Sequence, residues 1–340
     1  MKLLIVGNDT QWAIERFYCN HLNSLGITTS IYDVNRYYKL NSYLFKIRFK
    51  FLDASIFKKL NKDLISFCKQ TKFKFVWIFK GIEIFPKTLQ TLKKLGIILI
   101  NYNPDHPFIR YSPSHGGSNI PKSIPLYDII FSYRTDLVKS IRSKFNVKTC
   151  LLPFGYEKNN IDFKETSSQK KINRVCFLGT ADEKRSKKIK YIAKNGFKVD
   201  VYSETFYNKR LLRDKNIRIF SDVYGQNFWN ILYSYDIQLN FLRDHNKNSH
   251  NMRTFEVPGV GGVLLTEYSN EQLEFFNQDK EIFTFKNDIE LLDNLEKIKS
   301  FTEYKKNIVR ESARNRSLKS KYSYFDRSKI VLNFLKDYVK

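Results

Sequence analysis

Residues 248–267 read Asn-Ser-His-Asn-Met-Arg-Thr-Phe-Glu-Val-Pro-Gly-Val-Gly-Gly-Val-Leu-Leu-Thr-Glu. Arg253 precedes Glu256 by three positions, a spacing that puts both on one face of a helix. Gly259, Gly261 and Gly262 follow, and then the apolar run Val263-Leu264-Leu265 of a buried strand. A planar guanidinium matches diphosphate oxygens. A carboxylate matches a ribose diol, and glycines let a ligand or a neighbouring element approach backbone closely. An ordinary helix, a buried strand and a surface ion pair would use the same residues. The stretch therefore defines a helix–glycine–strand unit and, with it, a candidate nucleotide site.

Outward from this unit the chain alternates strand and helix. Apolar strands are expected at Leu3–Val6, Ile27–Tyr32, Phe75–Phe79, Ile97–Tyr102 and Ile129–Ser132. In the second half they are expected at Arg174–Leu178, Lys198–Tyr202, Ile217–Phe220, Ile237–Phe241, Val263–Thr266 and Ile282–Phe285. Helices fit between them: the apolar stripe Ile14, Phe17, Tyr18, His21, Leu22 and Leu25, then Lys87–Leu95, Thr135–Lys144, Glu183–Lys194 and Gln226–Ser234. Such alternation specifies an α/β protein with parallel sheets covered on both faces, in two Rossmann-like halves. The polar stretch within Pro153–Ser168 marks the boundary. The expected division is 1–155, 156–324, and a last helix within 325–340 that returns to the first domain.

In doubly wound sheets, ligands sit beyond the carboxyl ends of the strands. That rule selects Asp105 and His106, fixed between Pro104 and Pro107 after Ile97–Tyr102. A carboxylate beside an imidazole can act as a base or stabilise charge at a reacting carbon. It also selects Gly179 and Thr180, where a glycine turn leads into a helix N-terminus suited to phosphate, with Arg185 one turn further on. Tyr202, at the end of its strand, is a candidate surface for a nucleobase.

The pattern Arg253-x-Phe255-Glu256…Gly261-Gly262-x-x-Leu265-Thr266-Glu267 resembles the donor-site signature of GT-B glycosyltransferases in the family 1/family 4 superfamily, most of all the CgeB-like (spore-maturation protein) branch. Leu152-Pro153-Phe154-Gly155, Cys176-Phe177-Leu178-Gly179-Thr180 with Arg185, Asn103-Pro104-Asp105-His106-Pro107-Phe108, Leu273–Phe276 and Lys280–Phe285 fit the same pattern in order. The resemblance implies a GT-B fold, with two Rossmann-like domains whose parallel sheets face a central cleft. It implies that Gly179, Thr180, Arg185, Tyr202, Asn248, Arg253, Glu256, Gly261 and Gly262 bind the donor, and that Asp105 and His106 stand at the reacting centre. The co-substrate would be a nucleotide-diphosphate sugar, a UDP sugar first and a GDP or dTDP sugar otherwise, with no metal and no further cofactor. Family 4 enzymes pair two glutamates eight positions apart. Glu256 matches the second, but Asn248 stands at the first, so the stereochemical outcome is left open.

The chain has 340 residues, 42% of them hydrophobic and 16% aromatic, enough for two cores, and its formal charge is +25. Such an excess favours anionic partners. No run approaches the ~20 apolar residues of a membrane span. Cys19, Cys68, Cys150 and Cys176 lack metal-ligand spacing, as expected of reduced thiols in a cytoplasmic protein. The segment from Arg36 to Leu52 interleaves Arg36, Lys39, Lys46, Arg48 and Lys50 with aromatic rings. That mixture suits an anionic membrane surface or an acceptor patch. It also suits single-stranded nucleic acid, or a packed helix with solvated lysines. The resulting expectation is a glycosyltransferase that acts on a glycan acceptor, with lipid-linked glycans among the candidates, in cell-surface polysaccharide or glycolipid assembly at the inner membrane face. The alternatives are transfer to protein or modified DNA bases, and a non-catalytic basic nucleic-acid-binding protein.

Overall fold

The structure, a computed structural model, describes residues 1–37, 55–109, 119–203 and 213–338. The chain divides into two compact units, Met1–Pro153 with Tyr324–Lys340, and Phe154–Ser323.

The first unit is a parallel sheet of β1 (Lys2–Gly7), β2 (Thr28–Asp33), β3 (Phe75–Phe79), β4 (Ile98–Tyr102), β5 (Ile129–Ser132) and β6 (Lys148–Leu151), in the order β2-β1-β3-β4-β5-β6. β3 reads Phe-Val-Trp-Ile-Phe and is buried at every position, as a strand covered on both faces must be. Helices α1 (Ile14–Ser24), α2 (Ser55–Thr71), α3 (Pro86–Lys94), α4 (Asn119–Ser123) and α5 (Thr135–Phe145) connect the strands. Leu60, Leu64, Leu89, Leu92, Leu137 and Ile141 on these helices close over Val76, Ile78 and Leu99 of the sheet.

The second unit begins with α6 (Phe163–Ser167), β7 (Ile172–Leu178), α7 (Glu183–Lys194), β8 (Val199–Tyr202), β9 (Ile217–Phe220), α8 (Gly225–Ser234) and β10 (Tyr235–Asn240). It continues with α9 (Met252–Val260), β11 (Leu264–Glu267), α10 (Asn270–Phe275), β12 (Phe283–Phe285), α11 (Asp288–Lys299) and α12 (Glu303–Lys319). Its sheet is parallel, in the order β12-β11-β10-β7-β8-β9. The last helix, α13 (Tyr324–Tyr338), belongs to the first unit. There Tyr324 packs its ring 5.4 Å from Phe17 and 5.6 Å from Tyr18 of α1. Two parallel six-stranded Rossmann-like sheets make the GT-B fold.

Among the departures from expectation, one missed strand and one early start have physical reasons. β6, with only the short run Lys-Thr-Cys-Leu, carries too little apolar sequence to announce itself. β10 starts at Tyr235, two residues early, because its polar positions are matched inside. Lys306 Nζ lies 2.9 Å from Asp236, and Gln238 Nε2 donates to Ile231 O at 2.7 Å.

Candidate functional site

Strand order in the second sheet reverses between β7 and β10, and such a switch opens a crevice at the carboxyl ends of the two strands. β7 ends at Leu178. Gly179 follows with φ 147°, a conformation open to glycine and strained for other residues. Asp182 then caps α7, accepting from Arg185 N at 3.0 Å. The first-turn N–H groups of α7 therefore open beside Gly179 and Thr180, an arrangement suited to an anion.

Two arginines converge on this turn. Arg185 donates through Nη1 to Thr180 O (3.0 Å) and through Nη2 to Phe241 O (2.7 Å), so its guanidinium bridges the switch from β7 to β10. Burial pushes its pKa down, and Asp182 opposes that shift. Arg253 donates from Nε and Nη2 to Leu178 O, both at 3.2 Å, and its third nitrogen pairs with Glu256. Its guanidinium also lies 4.7 Å above the Phe228 ring.

The start of α9 is what puts Arg253 there. Asn251 caps the helix in a reciprocal box with Thr254, which satisfies two otherwise orphaned N–H groups. Asn251 Nδ2 donates to Asn240 Oδ1 at 2.8 Å, and Asn240 Nδ2 donates to Thr266 Oγ1 at 3.1 Å. The last residue of β10 and the penultimate residue of β11 thereby pin the helix N-terminus over the carboxyl ends.

Glu256 is buried, and burial pushes its carboxyl pKa up while Arg253 pulls it back. Glu267 closes β11 and was outside the expected site set. It accepts from Leu242 N at 2.7 Å and lies 3.8 Å from Lys188 Nζ. Burial raises its pKa, while the Leu242 N–H and the charges of Lys188, Lys184 and Arg185 lower it. Its sequence signal was its place at the end of both the apolar run and the Arg253–Glu267 pattern. Asn248 is exposed on the loop after β10, with left-handed φ of 64°. Two residues on, His250 is buried: its Nε2 accepts from Phe154 N at 3.3 Å, so the proton on Nδ1 faces Glu271 at 3.0 Å.

Three expected donor residues sit elsewhere. Gly261 and Gly262 cap the C-terminus of α9 and precede β11, at the edge where strands begin. Gly261 supplies the left-handed cap, with φ 85°. A Cβ on Gly262 would stand 2.5 Å from Leu232 O, so this glycine serves helix packing. Tyr202 stacks on Phe220 with ring centroids 4.8 Å apart, and its hydroxyl lies 2.9 Å from that of Tyr235. Tyr235 in turn donates to the buried Asp200 at 2.7 Å, which also accepts from Arg174 and Arg218. Tyr202 is thus part of a buried polar network, with its ring already covered.

In the first unit the sheet reverses between β1 and β3. Asp105 and His106 follow β4. Asp105 is buried, its N–H donates to Asn103 Oδ1 at 3.0 Å, and its carboxylate pairs with Lys80 Nζ at 2.8 Å. His106 Nδ1 accepts from Phe108 N at 3.3 Å, which leaves the proton on Nε2. Lys80 itself holds a left-handed φ of 56° at the end of β3, a strained conformation of the kind stored at functional sites. At the end of β1, Glu15 folds back over Gly7 and accepts from Asn8 N at 3.2 Å. Burial pushes the Glu15 pKa up, the two N–H groups of Glu15 and Asn8 and the charge of Lys80 lower it, and Glu83 raises it. Neither Lys80 nor Glu15 was expected from sequence. Of the basic patch, Arg36 lies 4.1 Å above the Tyr32 ring and 5.1 Å from the Tyr37 ring. Lys39, Lys46, Arg48 and Lys50 lie outside the described residues. Among the described residues no helix is long and apolar enough to cross a membrane, and no three His, Cys, Asp or Glu side chains gather as a metal site.

Comparison with known proteins agrees with this architecture. Residues 185–333 match the family model described as glycosyl transferase-like. A glycosyltransferase from Rickettsia africae superposes with TM-score 0.70 at 12% identity, covering 100% of this chain and 98% of that one. An Escherichia coli trehalose-6-phosphate structure bound with UDP-2-fluoro glucose gives 0.68 at 10%, covering 99% of each chain. UDP-GlcNAc 2-epimerase from Neisseria meningitidis, bound to UDP-GlcNAc, gives 0.65 at 14%, covering 99% and 100%. No curated protein matches in sequence. At these identities the structural likeness establishes the fold.

Proposed function

We propose that the protein is a glycosyltransferase that moves a sugar from a nucleotide-diphosphate donor to a glycan acceptor. The observation that carries this reading is the meeting of Arg185 and Arg253 on the Gly179–Thr180 turn at the β7/β10 switch. A diphosphate at the N-terminus of α7 would meet helix N–H groups and two guanidiniums, so that the departing diphosphate charge is stabilised. Asn248 and Glu256 would contact the sugar and ribose, the latter while paired with Arg253. Asp105, held by Lys80, and His106 would act on the acceptor hydroxyl. The glycosyl transferase-like match over 185–333 includes Arg185, Asn248, Arg253 and Glu256 and begins just after the Gly179–Thr180 turn. The UDP sugars named with two of the similar structures favour a UDP donor. Protein cations take the place of a metal in this scheme. A lipid-linked acceptor is the choice that the basic, aromatic stretch from Arg36 to Leu52 supports.

A thermal-shift screen against UDP, GDP, dTDP and CMP sugars tests the reading. A ligand at 100 times its dissociation constant adds about 2.7 kcal/mol to stability. The hit is then incubated with glycan acceptors and the products are resolved by mass spectrometry. Transfer supports the proposal. Stabilisation by a UDP sugar that is epimerised and never transferred would replace it with nucleotide-sugar isomerisation. Sedimentation with anionic liposomes at low salt tests the membrane-side acceptor, and its absence would redirect the search to soluble glycans.

A further inference from the structure

The edge of the second sheet where the strands begin carries a second pocket, of about 470 Å³, with Phe163, Ser167, Tyr233, Asn307, Arg310 and Arg314 in its wall. Arg310 is 3% exposed. Its Nη1 donates to Asn307 Oδ1 at 3.0 Å and Glu303 Oε2 at 3.4 Å. Among the described residues Nε and Nη2 find no hydrogen-bond acceptor; both are buried, and Nη2 lies 4.0 Å from Asp236. Those two nitrogens form the side of a guanidinium that takes an oxyanion through two parallel N–H groups. Buried donors without acceptors are costly, and a built pocket seldom leaves them so.

The surroundings are rich in positive charge. Arg314 lies 3.6 Å above the Phe163 ring, and Lys171 lies 3.1 Å above the Tyr233 ring while donating to Tyr233 O at 3.2 Å. Two of the nearby carboxylates are already engaged. Lys306 holds Asp236 at 2.9 Å and Glu303 at 3.1 Å, and Glu311 stands exposed in the wall. Burial, with Arg310 adding to it, pushes the Lys171 ammonium down to about 7, against the pull of Glu303 and Asp236. A further anion here would relieve that crowding.

We propose that this pocket binds a phosphate group, free or as a small organic phosphate, between Arg310 and Arg314. The volume exceeds what the ion alone fills, and Phe163 and Tyr233 offer apolar surface for an organic remainder. Helix α9 joins the two places, with its C-terminal Gly261 in the pocket wall and Arg253 in its first turn. A ligand bound here therefore touches the element that presents Arg253.

Isothermal titration of the full chain with inorganic phosphate and, separately, glucose 6-phosphate tests the proposal. Arg314→Ala and Ser167→Glu, the second placing a carboxylate in the wall, should each weaken phosphate binding by roughly tenfold or more, while circular dichroism reports an unchanged fold. The paired change Arg253→Met with Glu256→Gln alters the nucleotide crevice and should leave phosphate binding within about twofold. Tighter binding of the sugar phosphate identifies an organic ligand, and equal binding identifies the ion. Absence of phosphate binding to the unaltered chain overturns the proposal. So does binding that survives Arg314→Ala and Ser167→Glu but is lost in the crevice pair.

Discussion

Replacing Arg253 with Ala would do more than remove the proposed phosphate contact. The Glu256 side chain is 7% exposed, and the ion pair with Arg253 offsets the desolvation of its carboxylate. Leu178 O would lose two donors in the same change. Stranding one member of a buried ion pair costs about 3–5 kcal/mol. For a unit the size of Phe154–Ser323, each kcal/mol moves the midpoint by about 2–4 °C, so a fall of roughly 6–20 °C is expected. The deficit should depend on pH, with a definite sign. Glu256 already has a raised pKa, and without Arg253 nothing opposes the burial that raises it. Between its unfolded value of about 4.5 and that higher folded value, the native state binds more protons than the unfolded chain, so stability falls as pH rises. Scanning calorimetry at pH 5 and pH 8 should therefore find the variant more destabilised at pH 8. Arg253→Met with Glu256→Gln removes both charges, so most of the midpoint should return while donor binding stays lost. A single variant within about 2 °C of the parent at pH 8, or a deficit independent of pH, would show that the pair does not hold this helix.

Asp105→Asn and His106→Ala should lower kcat far more than donor affinity, as steady-state kinetics at saturating donor would report, with nucleotide binding by calorimetry unchanged. Gly262→Ala drives a Cβ to within 2.5 Å of Leu232 O; it should cost about 1–3 kcal/mol in chemical denaturation while leaving the nucleotide dissociation constant of the folded protein alone. Asp200→Asn breaks the Arg174–Asp200–Arg218–Tyr235 network. Burial raises the Asp200 pKa, but Arg218, Tyr235 and Arg174 outweigh it and hold the group below the usual 3.8. The parent should thus lose stability as pH falls below about 3.8, and acid titration of the Asn variant should lack that component.

Most sheet strands were legible because strands covered on both faces are mostly apolar; Phe75–Phe79 and Ile129–Ser132 fall where their runs do, and the edge strand Ile217–Phe220 keeps three apolar residues around Arg218. The glycine turn after β7 and the Arg253–Glu256 face were legible for a related reason, since both depend on spacing along a single element. What escaped depends on which end of an element a residue occupies, or on a fold-back between elements. Gly261 and Gly262 follow the same helix that carries Arg253, but that helix runs from the carboxyl edge of the sheet to the opposite edge. Glu15 occupies the first turn of an unremarkable amphipathic helix, and only the closeness of its carboxylate to Gly7 reveals its position. Lys80 has no pattern around it that signals left-handed backbone. Tyr202 sits at the end of its strand as expected, yet Phe220 from the neighbouring strand occupies the face a base would need.

The second unit is an insertion in the chain of the first, and its two ends abut. Tyr156 N donates to Tyr322 O at 3.3 Å, and Tyr156 and Ser323 form an isolated parallel bridge. A segment whose start and finish are already tied together needs no outside framework to close its ends. Residues 154–323 are therefore a natural fragment for separate expression. A short flexible connector across those ends would allow circular permutation, with new termini opened in a surface loop away from the β7/β10 crevice.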